Sequence, residues 1–394
     1  MQPISADIRA IPSSGIREMQ VMALGMPGAI HLEIGDPDFN TPEHICQAAQ
    51  RAMQDGWTRY TATTGFLSLR EALSRKLAER NGIQANPNQI VVTAGSTSGL
   101  AVVIRALCDP GDEVLVPDPS WPNYVMMTTG ARAVPVRYPL EPHHGFQPDI
   151  DRLEALLTPR TKVLMINSPG NPTGGVFTQE TMQALVEFVQ RHNLYLVSDE
   201  VYEEIIFEGR HVSPYTLSSE PRVISLFSFS KTYAMTGWRL GYLVASEEIV
   251  ANCNKVQEGY VACASAIAQK AAEAALSGPQ DCVATMRDAY RRRRDLAASL
   301  LTEHGAAFSY PHGAFYLMID VSAAGSDDMA FCKSLLRRHK VALAPGETFG
   351  NVTRGWARVS LAASEADIRA GISGTADFIN EQSAISRQLT AIGR

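Results

Sequence analysis

The stretch Val223-Ile224-Ser225-Leu226-Phe227 runs straight into Ser228-Phe229-Ser230-Lys231-Thr232-Tyr233-Ala234-Met235-Thr236-Gly237-Trp238-Arg239. A short apolar run of this kind reads as a buried strand. The hydroxyls, single lysine and arginine behind it would make a poor solvated surface. A lysine amine can attack an aldehyde only when deprotonated, so its ordinary pKa of about 10.4 has to be lowered by desolvation or a neighbouring cation. A lysine that merely caps a strand–helix connection is the plain alternative, and Lys231 alone does not separate the two. The segments around it do.

Working outward, short apolar runs recur at Ile90–Thr93, Glu113–Val116, Ala133–Val136, Val163–Asn167, Leu194–Ser198, Val223–Phe227 and Gly241–Ala245. Helical periods lie between several of them: Leu100, Val103, Ile104 and Leu107 follow the i, i+3, i+4, i+7 rule, and Met182–Arg191 has a helical composition. Such alternation predicts an α/β fold with a mainly parallel seven-stranded sheet flanked by helices. The last hundred residues read differently, with a long basic helix around Arg287–Leu301, strands at Ala314–Asp320 and Trp356–Leu361, and a helix near Ser326–His339. They predict a smaller α+β domain that also takes in the N-terminal segment. The expected division is a large domain over 48–285 and a discontinuous small domain from 1–47 with 286–394. A chain of 394 residues is long enough for such a pair.

Composition excludes several functions. The net charge of −6 and pI near 5.9 argue against general nucleic-acid binding. The run Arg291–Arg294 reads as a solvated helix face rather than a phosphate patch. The cysteines Cys46, Cys108, Cys253, Cys263, Cys282 and Cys332 form no CxxC pair, which predicts reduced thiols rather than a disulfide frame or zinc site. His143-His144 has no HExxH or cysteine company and reads as loop. No stretch approaches the roughly 18 apolar residues of a membrane helix. No secretory signal stands at the N-terminus, so the expected setting is cytoplasmic.

Ligands of open α/β sheets bind outside the carboxyl ends of the strands, and here those ends carry unusual polar sequence. Ile90–Thr93 is followed by Ala94-Gly95-Ser96-Thr97-Ser98-Gly99, an anion site if the amides of Ser96 and Thr97 open a helix, or a plain N-cap if not. The same loop nearly matches a GxSxG nucleophile elbow with Thr97 in the serine place, which keeps a hydrolase open. Val163–Ile166 is followed by Asn167-Ser168-Pro169-Gly170-Asn171-Pro172-Thr173-Gly174-Gly175, a rigid loop able to aim Asn171 at a ligand oxygen. Leu194–Ser198 is followed by Asp199-Glu200-Val201-Tyr202, and a carboxylate at the end of a buried strand needs a cation. The pieces make one constellation: a phosphate cradle (Ser96, Thr97, Ser228, Arg239), a buried carboxylate (Asp199), two groups for a phenolic oxygen (Asn171, Tyr202) and an amine (Lys231). A phosphorylated aromatic aldehyde with a basic ring nitrogen satisfies all of them. Pyridoxal 5'-phosphate is such a molecule.

These motifs resemble those of the class I, aspartate-aminotransferase-like enzymes of fold type I that depend on pyridoxal phosphate. The resemblance runs from Gly35-Asp36-Pro37-Asp38-Phe39 to Arg358-Val359-Ser360 and is most specific in Asn167–Gly174, Ser198–Glu203 and Ser228–Tyr242. It implies that Lys231 is the Schiff-base lysine and proton carrier, that Asp199 faces the ring nitrogen, and that Tyr202 and Asn171 bond the ring's phenolic oxygen. By the same resemblance Trp121 stacks on the ring, and Ser96, Thr97, Ser228 and Arg239 hold the phosphate. Tyr60 in Arg59-Tyr60-Thr61 would reach the phosphate of a neighbouring subunit in a homodimer. Arg358 would clamp the substrate α-carboxylate, and Gly35 would let the backbone approach the substrate.

The implied reaction moves an amino group from an L-amino acid to a 2-oxo acid, with 2-oxoglutarate the expected acceptor, by a ping-pong mechanism. One departure bears on the substrate: Thr97 stands where the bacterial aspartate-specific branch carries a lysine that helps read a distal carboxylate. Neutral, aromatic and dicarboxylic donors therefore stay open, with Ile11–Gly15, Trp121–Tyr124 and Phe349 as candidate pocket segments. A carbon–sulfur β-lyase or a synthase would use the same ring machinery. An effector-binding module of a transcription regulator is a further alternative, disfavoured by the lack of any basic N-terminal extension.

Overall fold

The computed structural model describes residues 2–218 and 220–392. Seven strands form the main sheet: β1 (Ile90–Thr93), β2 (Glu113–Asp118), β3 (Val134–Pro139), β4 (Thr161–Asn167), β5 (Tyr195–Asp199), β6 (Val223–Ser228) and β7 (Gly241–Val244). Their order across the sheet is β1-β7-β6-β5-β4-β2-β3. Neighbours are parallel except at β7, which is antiparallel to both β1 and β6. The central strands are buried along nearly their whole length, which is why they read as unbroken apolar runs rather than alternating ones. The third strand begins and ends later than the sequence predicts, and it lies at the sheet edge, where its two prolines, Pro135 and Pro139, can be accommodated.

Helices cover the sheet. Gly95–Leu107 buries Leu100, Val103, Ile104 and Leu107 on one stripe. Gln179–Arg191 buries Met182, Leu185, Val186 and Val189 at the same spacing, and Thr178 caps it by accepting the Thr181 amide at 3.1 Å. Burying each of these large aliphatic side chains contributes about 2 kcal/mol, so the stripes rather than helix propensity fix both elements.

Strand register decides where the polar strand ends meet. Asn167 stands opposite Asp199, Asp199 opposite Leu226, and Ser228 opposite Gly241, which also pairs with Thr93. Because β7 runs antiparallel, its first residue lies level with the last residues of β1 and β6. The loops carrying Ser96, Asn171, Tyr202, Lys231 and Arg239 therefore leave one end of the sheet.

A second, antiparallel sheet takes β8 (Phe308–Ser309), β9 (Tyr316–Asp320), β10 (Ala344–Pro345) and β11 (Trp356–Ser360) in the order β10-β11-β9-β8. Ile30–His31 pairs in parallel with Val341–Ala342, which ties the N-terminal segment to this C-terminal unit. The helix Asp281–Glu303 runs across the expected boundary near 285. Arg291 and Arg292 on that helix meet solvent, but the expected solvated face ends there. Arg293 and Arg294 are buried, pairing with Asp38 at 2.7 Å and Glu208 at 2.9 Å. His143-His144 lies in a single 3-10 turn, Pro142–His144. The six cysteines are free. Among the described residues no helix is long and apolar enough to cross a membrane, and no group of residues has the makings of a metal site.

Candidate active site

Lys231 sits on the single helical turn Phe229–Thr232 that follows β6. Ser228 starts the turn, its hydroxyl accepting the Ser230 amide at 3.1 Å. The Lys231 side chain points into a cleft of about 720 Å³. Its Nζ donates to the Gly35 carbonyl at 2.6 Å and lies 5.6 Å from the centre of the Phe315 ring. Burial pulls its pKa down to about 8, with Asp36 and Asp199 opposing and Arg358 and Arg239 reinforcing the shift. Such an amine has an appreciable neutral fraction near neutrality, as a nucleophile and proton carrier needs.

Asp199 ends β5 and is 2 % exposed. Burial raises its pKa to about 6, against the Tyr124 hydroxyl that donates to it at 2.7 Å and the Val201 amide at 3.4 Å. Glu200 turns to the other side, where Oε2 meets His211 Nε2 at 2.7 Å and Oε1 accepts from the Ser213 hydroxyl at 2.9 Å. A buried carboxylate with a neutral partner and a cation in the same cleft is suited to hold a protonated ring nitrogen.

Asn171 is fixed from both sides. Its amide donates to Asn167 Oδ1 at 2.8 Å, and its own Oδ1 accepts from Arg358 Nη1 at 2.8 Å. Arg358, in β11, is 2 % exposed; its Nη2 donates to the Glu33 carbonyl, and its guanidinium carbon lies 4.4 Å from the Tyr316 ring centre and 4.8 Å from that of Phe349. Among the described residues no carboxylate stands within ion-pair distance of Arg358, and its Nε has no partner. Stripping a guanidinium of water costs several kcal/mol, so this one is poised for an anion from the cleft. Tyr202 and Tyr316 share a hydrogen bond of 2.9 Å between their hydroxyls beside it.

The opposite end is a backbone cradle. Ser96 and Thr97 lie in the first turn of Gly95–Leu107, where free amides and the helix dipole favour an anion. Arg239 adopts φ +55°, a left-handed conformation that costs an L residue about 1–2 kcal/mol. Its Nη1 donates to the Thr236 carbonyl at 2.8 Å. A Cβ on Gly95 would stand 2.6 Å from Arg239 Nη2, and one on Gly241 would stand 2.6 Å from the Ser96 nitrogen. Gly241 is thus required by the approach of backbone to backbone, and Gly95 by its own left-handed φ of +79°.

The cleft wall brings together Gly35, Ser96, Thr97, Trp121, Asn171, Asp199, Tyr202, Ser228, Lys231, Arg239 and Arg358, all singled out by the sequence. Tyr60 is the exception: it is 89 % exposed and does not line the cleft of its own subunit. No histidine is among the lining residues, so the hydrolase reading of the Ser96-Thr97 loop lacks its base.

Residues 27–373 match the family described as aminotransferase class I and II. The chain is an aminotransferase of this family. It is similar to the aspartate/prephenate aminotransferase of Thermus thermophilus, 38 % identical over 94 % of this chain and 97 % of that one. It is also similar to aromatic-amino-acid aminotransferase 2 of Thermococcus litoralis, 36 % identical over 91 % of this chain and 94 % of that one. The solved structure of the Thermus thermophilus aspartate aminotransferase with maleate superposes with a TM-score of 0.92 at 37 % identity, covering 96 % of this chain and 100 % of that one. These relatives favour amino transfer over the lyase and synthase chemistry that the cleft motifs left open.

Several residues of this aminotransferase's cleft were not assigned from the sequence. Tyr124 was read only as part of a pocket segment, yet it is the buried donor to Asp199 and meets the Trp121 ring edge-on at 5.7 Å. Tyr316, Arg17 and Gln20 also line the wall. A tyrosine three residues after a cleft tryptophan on a helix was the available signal for Tyr124; Tyr316 and Arg17 had none. Phe349, expected near the substrate side chain, is fully buried beneath Arg358.

Proposed function

We propose that this aminotransferase holds pyridoxal 5'-phosphate in the cleft and moves an amino group from an L-amino acid to a 2-oxo acid, with 2-oxoglutarate as acceptor. One observation carries the reading: a buried lysine with a lowered pKa, a buried aspartate and an arginine without an anionic partner among the described residues surround the same cleft. The donor set fits the cofactor, since the helix-start amides of Ser96 and Thr97 and the Arg239 guanidinium offer a phosphate donors at one end of the cleft. Ser96, Thr97, Ser228 and Arg239 would hold the phosphate, Asp199 the ring nitrogen, Asn171 and Tyr202 the phenolic oxygen, and Trp121 a ring face. When bound, the group supplies an electron sink for the pair left at the substrate Cα. Lys231 carries the Cα proton. Arg358 grips the α-carboxylate through its paired N–H groups, and Gly35, too close to the Tyr316 hydroxyl to bear a side chain, lets the substrate lie against backbone.

The active unit on this reading is a homodimer in which Tyr60 reaches the phosphate of the adjoining subunit; its near-complete exposure supports that. On the same reading a large domain takes 48–285 and a small one 1–47 with 286–394, with the helix Asp281–Glu303 crossing from one to the other. Six free cysteines support a cytoplasmic setting.

Initial rates measured over a grid of donor and acceptor concentrations test the proposal. Parallel double-reciprocal lines are expected, because donor product leaves before acceptor binds. Intersecting lines, or ammonia released from donor alone, would contradict it.

A further inference from the structure

Strand β5 ends on Asp199, and a second carboxylate, Glu200, follows at once. Asp199, Val201 and Tyr202 line the cleft, whereas Glu200 does not. Successive side chains of an extended segment face opposite ways, and Glu200 turns into the protein, where it is fully buried. The proposed function gives it no task. Burying a carboxylate is costly, and an apolar side chain of similar size would fill the space at lower cost. Packing alone therefore does not call for an acid here.

The bonds around Glu200 do. Oε1 accepts from the Ser213 hydroxyl at 2.9 Å, and Oε2 meets His211 Nε2 at 2.7 Å. Ser213 is itself buried; its hydroxyl lies 3.3 Å from that of Ser225 on β6, and its carbonyl accepts from the Thr216 hydroxyl at 2.8 Å. Among the described residues no lysine or arginine stands within ion-pair distance of Glu200, and His211, also buried, is the basic residue that does. The backbone is pinned as well: the Glu200 amide donates to the Leu226 carbonyl at 2.9 Å, and its carbonyl accepts the Glu203 amide at 3.0 Å. That carbonyl belongs to the same peptide unit as the Val201 amide, which donates to Asp199 Oδ1 at 3.4 Å. Apart from the Tyr124 hydroxyl, this amide is the group that orients the Asp199 carboxylate.

We propose that Glu200 is a positioning residue: anchored by Ser213 and His211, it holds the peptide unit whose Val201 amide keeps the Asp199 carboxylate in the orientation that meets the cofactor's ring nitrogen. The inference rests on the assignment of Asp199 and pyridoxal phosphate made above. Without the anchor, the chain beyond Asp199 could turn, and the carboxylate would turn with it. A network in which each polar group has its partner supplies such rigidity.

The test titrates the full-length, cofactor-free protein with pyridoxal 5'-phosphate and with its carbocyclic analogue, in which C–H replaces the ring nitrogen. Fluorescence gives both dissociation constants, and their ratio reads the aim of Asp199 apart from the grip on phosphate. Glu200→Ala should lower the preference for the pyridine ring at least about tenfold, and Ser213→Ala about threefold. Glu200→Gln, whose amide can still accept from Ser213 and meet His211, should stay within about twofold of the parent. Equal weakening of both ligands by Glu200→Ala would show a general structural role and overturn the proposal. So would a Glu200→Gln loss as large as that of Glu200→Ala, since charge rather than aim would then be at stake. If circular dichroism shows that Glu200→Ala does not fold, the Ser213→Ala ratio decides, and an unchanged one overturns the proposal. Asp199→Asn separates the two levels, since it should abolish the preference. If it leaves the preference intact, the reading of Asp199 falls and that of Glu200 with it. If it abolishes the preference while Glu200→Ala leaves it unchanged, the role of Glu200 alone falls.

Discussion

At Asp199 the site and the stability of the protein pull in opposite directions. Burial is the largest effect on this carboxyl and raises its pKa to about 6, which the Tyr124 hydroxyl and the Val201 amide only partly offset. The folded value lies above the unfolded one of about 3.9, so the group favours folding only while protonated. That contribution is complete below about pH 4 and lost as pH rises through about 6. In the cofactor-free protein, Asp199→Asn should therefore raise unfolding stability at pH 7.5 by roughly 2–3 kcal/mol, and the gain should fade towards pH 4. Denaturant titrations at the two pH values check this; a gain independent of pH would mean that charge is not its cause. The same substitution should weaken the hold on the cofactor, because the ring nitrogen loses its anionic partner. The aspartate was legible in the sequence because a carboxylate at the end of an apolar strand is costly. Its donor Tyr124 was not, since a tyrosine facing a cleft and one in a core look alike until the helix is placed.

Among the elements, the loop Gly35-Asp36-Pro37-Asp38-Phe39 links the two sheets' surroundings to the reacting amine. Its Gly35 carbonyl takes the Lys231 proton donor, and Asp36 Oδ1 accepts from the Thr236 hydroxyl at 2.7 Å. Asp38 anchors it through two bonds of 2.7 Å from Arg293, which also donates to the Leu361 carbonyl at 3.3 Å and faces the Phe39 ring. Arg293→Met should cost roughly 2–3 kcal/mol, and adding Asp38→Asn should cost little more, because the two side chains form one unit. Urea midpoints for the two single variants and the double variant measure the coupling; additive losses would contradict it. Arg293 also marks a limit of sequence reading. In a run of four arginines each has the same local text, and only the packing of Asp281–Glu303 against the N-terminal loop selects which of them are buried. The parallel strands were legible for the opposite reason: burial on both faces writes itself as unbroken apolar residues.

For the whole molecule, the exposed Tyr60 is the residue whose proposed task requires a second subunit. Tyr60→Phe should leave the dimer intact by analytical ultracentrifugation and raise the cofactor dissociation constant about tenfold, the worth of one hydrogen bond to a charged group. An unchanged dissociation constant would remove Tyr60 from the site. Strand order and the closeness of β7 to β1 could not be read from the chain, because register is a property of pairs rather than of runs. Yet that register brings Gly241 against Ser96 and completes the cradle. Substrate choice was illegible for a related reason. The wall facing a substrate side chain draws on Ser14, Ile34, Trp121 and Met126, which no single motif gathers.

The most direct test of the account is the release of 2-oxo acid from an amino donor, without acceptor, by the cofactor-loaded protein and by its Lys231→Ala variant. The parent should release one equivalent per site and stop. The variant should retain cofactor through Arg239, Ser96 and Asp199 yet release its equivalent slower by about 10⁴-fold or more, since among the described residues no other lysine lines the cleft. A Lys231→Ala protein that completes the release at the parent's rate would contradict the assignment of Lys231.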